Sequence, residues 1–154
     1  MLEFKNTGRA RVVNAFDGRV IKCFNGPNAV SRFQNECRVI RHLNELDCPF
    51  VPRLMDSNSS RLSITTAFCG HRVEQLLDTH VQKLFDRLLE YRVRHDDPAL
   101  RNILFDPRSN EFMLIDFELA QIMQPSLLMA PQVEPILENL DGLFSTSSIN
   151  LTVV

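Results

Sequence analysis

The sequence predicts an α+β fold, with an antiparallel sheet and one long helix set apart from a smaller, mostly helical region. Three observations carry the prediction. Short alternating runs fill the first quarter of the chain and meet at Asp17-Gly18. One apolar stripe at intervals of three and four residues follows, from Ala29 to Leu46. Two more strand-like runs, a second amphipathic stretch and a hairpin then complete the readable part.

Phe4–Arg9, Arg11–Phe16 and Arg19–Phe24 read as strands, broken at Gly8 and at Asp17-Gly18. Asp-Gly between two such runs signals a hairpin, because glycine tolerates positive φ. The breaker cluster Asn25-Gly26-Pro27-Asn28 ends the strands. Val30, Phe33, Cys37, Ile40, Leu43 and Leu46 then mark one face of a helix of about five turns. Cys48-Pro49 and Val51-Pro52 stop it. Arg53–Asp56 and Leu62–Phe68 are predicted strands around the turn Ser57–Ser60, and Val73–Leu77 a short helix. Val81, Leu84, Phe85, Leu88 and Leu89 predict a long amphipathic helix through about Tyr91. Ile103–Phe105 and Phe112–Ile115 flank a turn at Asp106–Asn110. A further helix is expected over Gln132–Phe144, followed by a polar tail, and the apolar stretch Ser126–Ala130 reads first as core and otherwise as a surface that meets a partner or second subunit.

At 154 residues this is one domain, able to bury about 68–70% of its unfolded surface without a metal or disulfide. Net charge is −2, which gives no footprint for bulk nucleic-acid binding. Cys23, Cys37, Cys48 and Cys69 form no C-x-x-C pair and are expected to be reduced, mostly buried thiols. No leader pattern and no membrane-length apolar run is present, so a cytoplasmic protein without a membrane span is expected.

The chemistry concentrates in His95-Asp96-Asp97, Asn102-Ile103-Leu104 and Leu114-Ile115-Asp116-Phe117. Phosphoryl transfer requires oxygen ligands for a metal on the phosphates and a carboxylate near the attacking hydroxyl. Asn102 and Asp116, at the two ends of a tight hairpin, would supply the metal ligands, with Asp97 facing the acceptor. Taken singly, Asp97-Pro98 and Asn102 are ordinary turn residues and Asp116 a strand-end acid.

Together the segments resemble the H-x-D-x-x-x-x-N catalytic loop and the D-F-G element of the protein-kinase-like superfamily. The resemblance covers roughly residues 4–120. It implies a bilobal fold, with an N-lobe sheet and long helix through residue 68, a truncated, mostly helical C-lobe over 69–144 and a tail over 145–154. It also implies ATP and Mg²⁺ as cofactors. Val20-Ile21-Lys22 is similar to the strand whose lysine grips the α- and β-phosphates, and Glu36 would pair with that lysine. Leu62–Gly70 resembles the strand and hinge that frame adenine, with Thr65 as gatekeeper and the backbones of Thr66 and Phe68 meeting the purine edge. Asn6-Thr7-Gly8-Arg9-Ala10 is similar to the phosphate-side loop of the RIO-type atypical kinases, where Thr7 and Gly8 would meet the nucleotide.

The pattern departs from the family at several points. There is no G-x-G-x-x-G, and Glu118 replaces the last glycine of D-F-G, which implies a segment that does not flip. Ala99 stands where serine/threonine kinases carry a lysine, and Arg101 precedes Asn102. Only 38 residues follow Asp116, too few for an activation loop and the helices that dock peptides. RIO-type kinases, the small kinase subunit of the KEOPS complex and some lipopolysaccharide-core sugar kinases are trimmed similarly. The resemblance therefore implies a minimal phosphotransferase acting on a hydroxyl of a protein or small molecule, with a partner protein or second copy completing the short C-lobe. The alternative is a nucleotide-gated ATPase or binding module, or a pseudokinase, acting through a partner.

Overall fold

The computed structural model describes residues 2–6, 8–15 and 17–124. Thr7, Ser126–Ala130, the expected helix over Gln132–Phe144 and the polar tail lie outside the described residues.

The fold is α+β, built on a five-stranded antiparallel sheet of order β1-β2-β3-β5-β4. Strands β1 (Leu2–Asn6), β2 (Ala10–Asn14) and β3 (Arg19–Phe24) follow one another as hairpins, and β4 (Leu54–Asn58) and β5 (Ser63–Ala67) complete the far edge. The Asp-Gly signal is met: Gly18 takes φ +77°, and Ala15 N donates to Arg19 O at 2.8 Å across the turn. The first strand ends at Asn6 rather than Arg9, which lies in the following turn. In β4, Ser57 and Asn58 are strand residues because they pair with Ile64 and Ser63. The turn moves on to 59–62, where the Asn58 Oδ1 accepts from Arg61 N at 3.0 Å.

Helix α1 (Ala29–Glu45) packs across β3, β4 and β5. Phe33, Cys37, Val39, Ile40 and Leu43 form its buried face, and the Phe33 ring meets Phe24 of β3 edge-on at 5.9 Å. The predicted stripe is right in its middle and wrong at both ends: Val30 and Leu46 are exposed, because the sheet does not reach that far. Two polar residues, Arg32 and Glu36, take places on the buried face instead.

Beyond β5 the chain makes β6 (His71–Arg72), α2 (Asp78–Asp86), a 3₁₀ turn over Arg87–Tyr91, β7 (Val93–Arg94), a 3₁₀ turn over Leu100–Asn102, β8 (Ile103–Asp106), β9 (Glu111–Leu114) and β10 (Gln121–Ile122). The predicted β8–β9 hairpin is present, flanked by β6; β7 pairs with β10. Val73–Leu77 is not helical. It is an irregular connection from β6 to α2 whose Val73 and Leu76 still pack against the core, so the three- and four-residue spacing reports burial and not helix. The predicted long helix is α up to Asp86 and tightens to 3₁₀ afterwards, which turns Leu89 to solvent while Val81, Phe85 and Leu88 stay buried.

Gly70 is required where it stands. Its φ is +136°, and a Cβ there would lie 2.5 Å from the Phe105 carbonyl oxygen of β8. Backbone and side-chain ties join α1 and its following loop to the second half: Leu114 N donates to Phe50 O at 2.8 Å, and the His42 ring donates to Tyr91 O at 2.8 Å. Cys37, Cys48 and Cys69 are buried free thiols and Cys23 is half-buried and free, matching the expectation. Among the described residues no helix is long and apolar enough to cross a membrane.

Candidate functional site

Side chains alternate along a strand. On β3 this sends Val20 and Lys22 to one side, where they line a cleft of about 560 Å³. The Lys22 Nζ lies 2.6 Å from Glu36 Oε2 and 2.6 Å from Asp116 Oδ1, with Glu118 Oε2 at 3.5 Å. Glu36 reaches it from α1, which the Phe24–Phe33 packing presses onto β3. Burial works against the Lys22 charge, but Glu36 and Asp116 outweigh it and hold the ammonium above its ordinary pKa. Burial pushes the Glu36 carboxyl up to about 7, against the attraction of Lys22 and with help from Asp116 and Glu118. Three carboxylates thus converge on one ammonium, with oxygens of Glu36, Asp116 and Glu118 within 4.8 Å of one another.

Asp116 follows β9 and turns the chain with φ +68°, a left-handed conformation that lifts its carboxylate towards Lys22. Phe117 anchors the turn by full burial. Asn35 of α1 holds it from the other side, donating to Glu118 O at 3.1 Å and Ala120 O at 2.9 Å.

The loop carrying Asp97 is organised by His95, buried between the rings of Phe85 and Phe117 at 4.8 and 5.2 Å. The His95 Nδ1 accepts from Asp97 N at 3.1 Å, so Nε2 carries the proton and donates to Ile115 O at 3.1 Å. Burial lowers the His95 pKa, in keeping with this neutral ring. One imidazole therefore ties the Asp97 loop to the residue before Asp116. Asn102 is buried, and its Nδ2 donates to Asp97 O and Oδ2, both at 2.9 Å. Arg101 Nη2 donates to the two carboxylate oxygens of Asp97 at 2.6 and 2.7 Å.

Lys22, Glu36, Asp97, Asn102 and Asp116 all line the one cleft, although they are spread over 94 positions of the chain. Thr66, Phe68 and Gly70 line it as well. Three expectations on this wall need correction. Thr65 is not the residue facing the cleft: Ile64 and Thr66 are the buried pair on β5, and Thr66 lines the cleft. The Thr66 backbone lies within the sheet, paired with Val20 on one side and Leu54 on the other, so its side chain and not its backbone is presented. The Phe68 amide donates to Gly18 O at 2.8 Å, and its carbonyl accepts from Arg108 Nη2 at 3.0 Å. Its amide is therefore not open to a purine edge. Gly8 is not among the cleft-lining residues; Arg9 and Ala10, just after it, are.

Arg32, Asn35 and the anchoring role of His95 are not evident in the sequence. A buried arginine looks like a surface charge in any periodicity, and the acidic partner of Arg32 lies 86 positions away. The one available signal is its place one helical turn before Glu36, on the same face. Neither models of known protein families nor curated proteins give a match to this chain.

Proposed function

We propose that the chain is a minimal Mg-ATP-dependent phosphotransferase of protein-kinase-like architecture, with the residues through 68, which carry β1–β5 and α1, as one lobe and those from 69 on as the second. The observation that carries the reading is the Lys22 ammonium, 2.6 Å from both Glu36 and Asp116, in a cleft that Asp97 and Asn102 also line. A structural ion pair needs one acid. A lysine bridging two carboxylates in a cleft lined by both apolar and charged residues suits the charge of a nucleotide's phosphates.

The cleft fits such a ligand. Its volume falls within the roughly 300–1,000 Å³ usual for small-molecule sites. Val12, Val20, Leu104 and Ile115 offer apolar surface for the faces of a purine, and Cys69 and Gly70 line the same cleft beyond the engaged backbone of Ala67 and Phe68. Asn102 and Asp116 offer oxygens of the kind Mg²⁺ takes, since the Asn102 amide nitrogen is committed to Asp97. When bound, Mg²⁺ would neutralise charge on the phosphates.

The residues of the chain divide the remaining work. Lys22 has three donors; one stays on Glu36 while another turns to the phosphates. Asp97 orients the acceptor hydroxyl and takes its proton as the acceptor oxygen bonds to the γ-phosphorus and ADP leaves. His95 keeps the Asp97 loop in register with Asp116. A second reading, the nucleotide-gated binding module, draws on one observation: both Asp97 oxygens are already engaged by Arg101.

Incubation with γ-labelled ATP and Mg²⁺ tests the choice by release or transfer of the label. Asp97→Ala is expected to lower that rate by about 10²–10⁴ while Mg-ATP still binds. Unchanged turnover in Asp97→Ala sinks the proposed role of Asp97 and leaves the gated module.

A further inference from the structure

Arg32 is a buried guanidinium, 3% exposed, with every donor in use. Nε and Nη2 donate to Pro27 O at 3.1 and 3.0 Å, and Nη2 also to Asn25 O at 2.6 Å. Nη1 donates to Arg9 O and to Glu118 Oε2, both at 3.1 Å. The Arg9 carbonyl accepts a second bond from Asn25 N at 2.9 Å. Gly26 permits this close approach: with φ +71°, a Cβ there would lie 2.4 Å from Gly8 O.

Three separated pieces of chain therefore meet on one side chain of α1: the turn before β2, the loop from β3 into α1, and the segment after Asp116. Glu118 is the acid that balances them. It accepts from Arg32, pairs with Arg9 Nη2 at 3.2 Å and lies 3.5 Å from Lys22. Carbonyls alone would leave the Arg32 charge buried and uncompensated, a costly state for a guanidinium. The glutamate that stands in place of a hinge glycine thus has a definite use. It fixes the segment that carries Asp116 to the wall formed by Arg9 and Ala10.

We propose that Arg32 and Glu118 are a positioning pair that couples the phosphate-side wall of the cleft to the Asp116–Glu118 segment, so that the two move and order together. The ligand half of this inference rests on the nucleotide reading; the mechanical half does not.

The test uses Glu118→Gln, which keeps the shape and removes the charge, and Arg32→Lys, which keeps the charge and removes the fork. In the free protein, amide exchange at Ala10 and Arg11 and at Phe117–Ala120 is expected to quicken together in either variant. Exchange at Val39–Leu43, in the core of α1, is expected to stay as in the wild type. Losing one charge-assisted bond corresponds to about tenfold, so Mg-ATP binding is expected to weaken by about that factor while adenosine, which lacks phosphates, binds as before. Glu118→Asp is expected to restore most of the loss. Quickened exchange confined to Phe117–Ala120 overturns the coupling, and an equal loss for adenosine and Mg-ATP reduces the pair to a structural role. A wild-type protein that binds neither ligand refutes the nucleotide reading, and the exchange experiment still decides the coupling.

Discussion

Glu36 is expected to cost the fold stability at alkaline pH, and Glu36→Gln is expected to recover it. The carboxyl is buried and its pKa rises from the ordinary 4.5 to about 7. Because the folded-state value lies above the unfolded one, the folded chain holds this proton more tightly. The ionised form is therefore a cost, fully present above pH 7, relieved as pH falls from about 7 to 4.5, and absent below. At ~1.36 kcal/mol for each tenfold change in protonation, the cost is on the order of 3 kcal/mol. Glutamine resembles the protonated acid and does not carry it. Urea unfolding of both proteins at pH 5, 6, 7 and 8, followed by circular dichroism, measures the difference; groups away from Lys22 and Asp116 titrate alike in both and largely cancel. The expected result is a variant more stable by a few kcal/mol at pH 8, with the difference shrinking to about 1 kcal/mol or less at pH 5. A variant less stable at pH 8, or a difference that does not change with pH, would refute the reasoning. A stabilised variant that also binds Mg-ATP poorly would mark Glu36 as an acid held at the expense of stability for its grip on Lys22.

Further outcomes follow from individual contacts. Gly70→Ala places a methyl group against the Phe105 carbonyl at a positive φ, and is expected to destabilise by about 1–3 kcal/mol or more, read as a lower melting temperature. Thr66→Met is expected to fill the cleft and weaken ATP binding at least tenfold, whereas Thr65→Met leaves it within about twofold, because only Thr66 lines the cleft. Equal effects would put the strand in the wrong phase. Burial depresses the His95 pKa, so the unfolded chain takes up that proton first. The resulting loss of stability begins below about pH 6.5 and is complete below the folded value. His95→Gln is expected to be less sensitive to acid over that window, in unfolding measurements at pH 7 and pH 5.

What the sequence made legible was what local signals carry. Asp17-Gly18 fixes the β2–β3 hairpin, the four central residues of the α1 stripe identify its buried face, and the loop between Ile103 and Leu114 announces the second hairpin. The resemblance, and not a periodicity, pairs Lys22 with Glu36; in the structure they lie 2.6 Å apart because β3 and α1 each turn them towards the cleft. The phase of β5 was not readable in the same way. Threonine occupies both Thr65 and Thr66, so alternation looks alike in either register, and pairing with Val20 and Leu54 decides it. The two-residue strands β6, β7 and β10 are too short for any period. Arg32 and Asn35 belong to a third kind: their partners are carbonyls and a carboxylate brought in by the tertiary fold, which no spacing along one helix reveals.

The most direct measurement of the central claim is calorimetric titration of the wild-type protein and of Lys22→Met with ATP, with and without Mg²⁺. The account predicts that ATP binds the wild type, that Mg²⁺ strengthens the binding, and that Lys22→Met loses most of the affinity while retaining its fold. No heat of binding in the wild type under either condition, or equal binding in Lys22→Met, would contradict it.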